Sequence, residues 1–353
     1  MATLKILFFN PSYMGDSVLT TPLIKAVKKR YPDSYIAFCV RPENAQLFEG
    51  VDFIDEVITF DKRHSESGLK GTLSFVHKIR EKKFDMVFSP HMSLRTSIIM
   101  YLSHIPERIG FVESPFSTCY SKNCAKDMTL HEVERYLLLY FIEFNEFPGK
   151  VIMPEVYVDK ELQAKYKAEL PEGKLVGINA GSVWNTKKWP AAKFAEVADS
   201  LKERGYVPVI IGSPDDKPDV DKLMLAAKYD HINYCGKTSL RELPALIANF
   251  SYLVTNDSGS MHIATACGVP CIAIFGPTVK ELGFYPYDEQ SLVAEIQGLP
   301  CRPCGKHGGN KCPKGHFKCM EEISPANVLA LFGEVSKPIE QPRIPKYKTE
   351  PVD

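Results

Sequence analysis

The feature that most constrains this chain is an alternation that occurs twice. In the first half, LKILFF (4–9), SYIAFCV (34–40), DEVITF (55–60), FDMVFSP (84–90) and ERIGFV (107–112) alternate with helical spacing over 16–30, 71–82 and 94–102. Short β-branched or aromatic runs separated by helices call for parallel strands joined by right-handed crossovers. A longer helical stretch over 131–144 follows, then NEFPGKVIMPEV (145–156), whose Pro and Gly mark a linker. The alternation resumes with KLVGINAG (174–181), VPVIIGS (207–213), HINYCG (231–236), YLVTND (252–257) and PCIAIFG (270–276), with helices over 191–204, 219–227, 240–249 and 258–267. The expected fold is α/β, two doubly wound Rossmann-like domains over 1–150 and 151–337 that face each other across a ligand cleft. An irregular, Pro-rich tail is expected over 338–353.

A chain of 353 residues can bury two cores of ordinary size. Its 43 basic and 43 acidic residues cancel, which argues against nucleic acid and other general polyanions as partners. An anionic substrate must then be met by a local site. The N-terminal apolar stretch is too short for a signal peptide and no segment reaches the roughly 18 apolar residues of a membrane span, so a cytoplasmic protein is expected. Cys39, Cys119, Cys124, Cys235, Cys267 and Cys271 are scattered through strand-like and helix-like segments, as core residues of a reducing compartment would be.

NPSYMGDSVLTTP (10–22) follows the first apolar run and places Asp16 ahead of a helix. Two readings are open. Asp16 caps the helix, or it stands at the carboxyl rim of the first strand, where α/β sheets hold ligands.

NAGSVWNTKKWP (179–190) puts Gly181 and Ser182 at a strand end, and Lys187 ahead of a helix whose first turn suits Pro190. Small residues let backbone N–H groups approach a phosphate, and Lys supplies the countercharge. In VTNDSGSMHIATACGVPCIAIFGPT (254–278), Asp257, Ser258 and Gly259 join a strand to a helix with almost no loop. Such a helix start attracts a diphosphate. Asp257 either caps this helix or binds sugar hydroxyls, and His262 in its first two turns is a structural histidine or a ligand contact. Neither a Walker loop nor GxGxxG follows any strand, which argues against a nicotinamide dehydrogenase.

Cys301, Cys304, Cys312 and Cys319 lie within nineteen residues, with His307 and His316 among them. They are a structural zinc site or reduced, metal-free thiols with a packing role.

MGDSVLTTPLIKAVKKRYPD, GSVWNTKKWP, NDSGSMHIATACGVPCIAIFGPT and CRPCGKHGGNKCPKGHFKCM, in that order, resemble glycosyltransferase family 9, the ADP-heptose:lipopolysaccharide heptosyltransferases, and most of all the heptosyltransferase II type. The resemblance implies a GT-B architecture, with the acceptor on the first domain and the ADP-sugar on the second. It implies an inverting transfer of heptose from ADP-heptose to the lipopolysaccharide inner core, with no required cofactor or metal. It makes Asp16 the general base, Lys187 the diphosphate lysine, and Asp257, Ser258, Gly259 and His262 the donor stretch. Arg95 and Arg135 then approach the acidic acceptor, and Arg41, Lys62, Arg63 and Lys70 make transient contact with the inner membrane surface. A family 9 transferase with another nucleotide sugar and a sugar-nucleotide epimerase are the alternatives, with a non-catalytic binding module behind them. The helix start beside Asp16 is expected to hold its pKa low.

Overall fold

The apolar runs of the first half become parallel strands because each supplies apolar side chains to both faces of a sheet. In β1 (Lys5–Phe9), residues Ile6 to Phe9 are fully buried. The computed structural model describes residues 3–149 and 151–335, so the tail expected over 338–353 lies outside the described residues. Contacts divide the chain into two units, with the break between Tyr157 and Val158.

The first unit continues through α1 (Met14–Arg30), β2 (Tyr35–Val40), β3 (Glu56–Thr59), α2 (Gly68–Lys82), β4 (Met86–Phe88), α3 (Leu94–Ser103), β5 (Glu107–Phe111), β6 (Lys122–Cys124) and α4 (Glu132–Phe144). Its sheet has the order β3-β2-β1-β4-β5-β6 with all pairs parallel. Phe8 of β1 is in register with Phe38 on one side and Phe88 on the other, and the Phe8 and Phe88 rings stack with centroids 5.2 Å apart. Strand β6 was not legible in advance, because Lys-Asn-Cys carries no apolar run. It pairs through its backbone with β5.

Helix α1 contains Pro22, which lacks the N–H that would have reached the Val18 carbonyl. The Thr21 hydroxyl donates to that carbonyl instead at 2.7 Å, and the helix runs on. Helix α4 begins in a capping box: His131 Nδ1 accepts the Val133 N–H at 3.1 Å, and Glu134 accepts the His131 N–H at 2.9 Å. The segment before the break belongs to the first unit. Glu155 N–H donates to Thr21 Oγ1 (2.9 Å), Tyr157 N–H donates to the Leu47 carbonyl (2.8 Å), and the Tyr157 ring lies over Gly50.

The second unit contains α5 (Lys160–Glu169), β7 (Lys174–Asn179), α6 (Ala191–Glu203), β8 (Tyr206–Ile211), α7 (Lys217–Ala226), β9 (Ile232–Asn233), α8 (Glu242–Ile247), β10 (Tyr252–Asn256), α9 (Gly259–Ala266), β11 (Cys271–Phe275), β12 (Leu292–Glu295), α10 (Lys318–Glu321) and α11 (Pro325–Val335). Its order, β12-β11-β10-β7-β8-β9, repeats that of the first sheet. Helix α5 follows a cap not singled out in the sequence, Asp159, whose Oδ1 accepts the Glu161 and Leu162 N–H groups. In such sheets ligands sit beyond the carboxyl ends of the strands where the order reverses. That point lies between β1 and β4 in one unit and between β7 and β10 in the other.

Candidate active site

At the switch point of the first unit, α1 starts at Met14 with Tyr13 as N-cap, and the Tyr13 side chain makes no cap bond. Asp16 is the third helical residue, and its carboxylate is near enough to the Tyr13 backbone N–H for that group to favour its ionised form. The buried Asn10 just after β1 fixes this turn. Its Nδ2 donates to Thr20 Oγ1 at 2.8 Å, and the Thr20 hydroxyl donates to the Asp16 carbonyl at 2.8 Å.

The low pKa expected for Asp16 is corrected. Burial, and next the Glu132 carboxylate, push it up to about 7, against Lys126, the Tyr13 N–H and the Tyr136 hydroxyl, which pull it down. A helix start contributes a partial charge, and desolvation beside a second carboxylate outweighs it.

Basic side chains gather at the same rim. Arg41, just after β2, is 6% exposed; its Nε pairs with Glu43 at 3.1 Å, its guanidinium lies 5.3 Å from the Tyr13 ring centroid, and its Nη2 has no partner. Lys62 Nζ donates to the Pro11 carbonyl at 2.9 Å, and Arg95 Nη1 donates to the Lys62 carbonyl at 3.1 Å. Burial, then Arg41, Arg63 and Arg95, hold the Lys62 pKa down. His91, against Thr96 Oγ1, is pushed down to about 3 by burial, Lys62 and Arg41. Arg95 therefore stands where an acidic group would be welcome. Arg135 has a different neighbourhood: it is fully buried, paired with Glu132 at 2.8 Å and bonded to the Asp127 and Met128 carbonyls. Its guanidinium braces the turn before α4.

In the second unit the donor stretch and the lysine turn meet. Lys187 Nζ lies 2.6 Å from Asp257 Oδ2, and the Thr278 hydroxyl donates to the same oxygen at 2.6 Å. Asp257 is thus not the cap of α9. The N-cap is Ser258, whose side chain makes no cap bond to the first turn. Ser258 Oγ instead accepts from Asn179 Nδ2 at 3.3 Å and lies 3.2 Å from Thr255 Oγ1. Gly181 has no room for a side chain, since a Cβ there would lie 2.2 Å from Asp216 Cγ. Ser182 Oγ accepts the Trp184 N–H at 3.4 Å, holding the turn toward Lys187. Lys188 turns away to Asp219, 2.7 Å distant. His262 is 5% exposed with Nδ1 unpartnered; burial pushes its pKa down to about 4, Asp257 raising it and Lys187 lowering it.

Three residues that the sequence did not advertise, together with His307 of the closing loop, organise this site. Asn256 joins its strands: Nδ2 donates to the Ala180 (2.9 Å) and Gly181 (3.2 Å) carbonyls, and Oδ1 accepts the Trp189 N–H (3.0 Å). Thr278 fixes Asp257. Arg302 in turn fixes the Thr278 loop, donating to the Thr278 carbonyl at 2.8 Å, to the Gly276 carbonyl and to Glu295 at 2.9 Å. His307 is close enough to Lys187 and Asp257 to feel both charges. Only the placement of Asn256 beside Asp257 at a strand end was a signal in the sequence.

The closing loop gives the zinc reading little support. Among the described residues no group of three or more His, Cys, Asp or Glu side chains converges as metal ligands. Cys319 is 4% exposed within the core, with its thiol pushed up to about 11 mainly by burial, while the Cys304 thiol donates to the Cys301 carbonyl at 3.2 Å. What the loop does hold is the turn at Thr186 and the Thr278 loop. Besides Arg302, Cys304 N–H donates to the Pro277 carbonyl (2.9 Å), Thr186 N–H to the Gly309 carbonyl (2.9 Å), and Gly309 N–H to Thr186 Oγ1 (2.8 Å).

No helix among the described residues is long and apolar enough to cross a membrane. The profile of glycosyltransferase family 9 (heptosyltransferase) matches residues 72–312. The chain is 27% identical to lipooligosaccharide heptosyltransferase 2 of Campylobacter jejuni, over 95% of this chain and all of that one. It is 28% identical to lipopolysaccharide heptosyltransferase 2 of Salmonella typhimurium, over 92% and 97% of the two chains. Among solved structures, a family 9 glycosyl transferase of Veillonella parvula superimposes with a TM-score of 0.82 at 26% identity, covering 95% of this chain and 98% of that one. The α/β architecture of two Rossmann-like units expected of a GT-B transferase is the one observed. The chain belongs to glycosyltransferase family 9, the heptosyltransferases.

Proposed function

We propose that this enzyme transfers heptose from ADP-heptose to the inner core of lipopolysaccharide, with inversion at the anomeric carbon. The observation that carries the reading is the donor rim: a lysine held by Asp257 beside a helix start that no side chain caps. ADP leaves as an anion, and stabilising its growing charge lowers the barrier more than protonating it would. Lys187 and the first-turn N–H groups at Ser258 and Gly259 take that charge, and Gly181 and Ser182 let the backbone approach it. Asp257 and His262, with its unpartnered Nδ1, face the sugar.

Asp16 takes the proton from the attacking acceptor hydroxyl. With a pKa of about 7 it is a competent base near neutrality, where Brønsted behaviour favours it. The acidic acceptor meets Arg95 together with Arg41 and Lys62, and Arg135 supports the rim from behind through Glu132. Lipid-anchored acceptor is reached at the inner face of the cytoplasmic membrane. Of the basic residues expected at that surface, Arg63 and Lys70 are exposed, whereas Arg41 is buried and Lys62 is tied to Pro11. Leu69 of α2 and Leu94 and Tyr101 of α3 are 75%, 55% and 55% exposed.

The test is incubation with ADP-heptose and deep-rough lipopolysaccharide core. ADP release matched by acceptor heavier by one heptose is expected. Free sugar without acceptor modification would favour an epimerase or hydrolase, and binding without turnover would remove the catalytic role of Asp16.

A further inference from the structure

Beside Asp16 lies a buried cluster the transfer reaction does not by itself require. Tyr136 of α4 is 3% exposed, and its hydroxyl stands among three groups. Asn10 Nδ2 is 3.5 Å away, and the carboxylates of Asp16 and Glu132 lie close enough for their charges to bear on that hydroxyl. Glu132, 2% exposed, is held from its other side by Lys126 at 2.5 Å and Arg135 at 2.8 Å. Lys126 also lies 5.4 Å from the Tyr136 ring centroid. The groups facing Asp16 are therefore Asn10 after β1, the Tyr13 N–H of its own helix start, Lys126 from the turn before α4, and Glu132 and Tyr136 of α4.

We propose that Tyr136 and Glu132 are positioning residues for Asp16: the Tyr136 O–H offers a single hydrogen bond for which two carboxylates compete, and the competition sets how readily Asp16 accepts a proton. This rests on the assignment of Asp16 as the base. When Asp16 is ionised, Tyr136 donates to it and Glu132 is left to Lys126 and Arg135. When Asp16 has taken the acceptor's proton, it no longer competes, and the Tyr136 O–H turns to Glu132. No covalent bond to the protein forms or breaks; one proton stays on Tyr136 throughout, and the transferred proton stays on Asp16 until solvent removes it. Glu132 raises the proton affinity of Asp16 by like charge, while Lys126 and the Tyr136 hydrogen bond oppose it, in agreement with the direction found for Asp16.

The experiment is the pH dependence of kcat/KM for acceptor in the full chain, for the wild type and for Glu132→Gln, Tyr136→Phe and Lys126→Gln. The acidic limb should move down in Glu132→Gln and up in both Tyr136→Phe and Lys126→Gln, each on the order of one pH unit, with KM for the ADP-sugar unchanged. Loss of folding or packing alone would lower the plateau without moving the limb. Opposite displacements from neighbours on one helix are not a packing effect, and Tyr136→Phe keeps the fold testable should Glu132→Gln unfold. If wild type transfers and Asp16→Asn does not, yet the limb stays in place in all three variants, the positioning role is overturned. If Asp16→Asn transfers normally, it is the base assignment that fails.

Discussion

Lys187 Nζ stands 2.6 Å from Asp257 Oδ2, so the cation proposed to meet the donor diphosphate is held in place by the protein rather than left in solvent. Both side chains are nearly enclosed, at 12% and 8% exposure. A cation fixed in advance needs no reorganisation when charge develops on the leaving diphosphate. Lys187→Ala should lower kcat/KM for ADP-heptose roughly 10²- to 10³-fold with little change in the acceptor KM, measured by steady-state ADP release. Asp257→Asn, which removes the tether and leaves the lysine, should give a smaller loss; an equal or larger one would assign Asp257 a direct contact with the sugar.

Replacing Asp16 should separate activity from stability. Asp16→Asn is expected to reduce turnover roughly 10²- to 10⁴-fold. It should also raise Tm at pH 8, because an ionised carboxylate that the fold disfavours is gone. Thermal unfolding monitored at pH 8 and pH 4 checks this, the gain being confined to the higher pH.

The acid limb of stability follows from opposite signs. Asp16, with its native pKa raised to about 7, binds a proton in the fold that the unfolded chain releases, so its contribution is present at low pH and lost as pH rises toward 7. His262, lowered to about 4, and His91, lowered to about 3, work the other way: the unfolded chain takes up protons near pH 6.5 that the fold refuses, and stability falls on acidification. Between pH 4 and 6.5 one histidine is offset by Asp16. In Asp16→Asn that offset is absent, and unfolding free energy should fall more steeply with acid, by about 1.4 kcal/mol per pH unit. Parallel urea titrations of the two proteins would expose it; equal slopes would reject it.

Gly181→Ala should damage the donor rim through Asp216. A Cβ would lie 2.2 Å from Asp216 Cγ, and that carboxylate is fixed by the Ser213 N–H (2.8 Å) and hydroxyl (2.7 Å). Overpacking of this kind costs roughly 1–3 kcal/mol. The variant should show a lower Tm and weaker ADP binding by calorimetry, and Asp216→Ala in the same chain should restore part of both.

Arg41→Met and Arg95→Gln should each raise the acceptor KM and leave the KM for ADP-heptose alone. Arg41 offers a buried guanidinium with an unpartnered Nη2, so its effect should be the larger. Kinetics with acceptor and donor varied in turn provide the check.

The sequence by itself determined the sheets, because a parallel strand buried on both faces needs an uninterrupted apolar run, and β1, β2, β7, β8, β10 and β11 have one. It also determined which residues end up at the strand ends, since a turn from strand to helix leaves little choice of position: Asp16, Gly181, Lys187, Asp257 and Ser258 all lie where their local patterns put them. The tertiary structure decided what those residues are like. Asp16 carries the mark of a helix cap in sequence, and its high pKa comes first from burial in the folded unit and then from Glu132, 116 positions further along. Arg135, an acceptor contact by resemblance, is enclosed beside Glu132. The closing cysteines read either as zinc ligands or as metal-free packing thiols, and it is Arg302 among them that grips the Thr278 loop and, through Thr278, Asp257. Local propensity is written in neighbouring residues, whereas desolvation and charge pairing depend on partners that only the folded chain brings together.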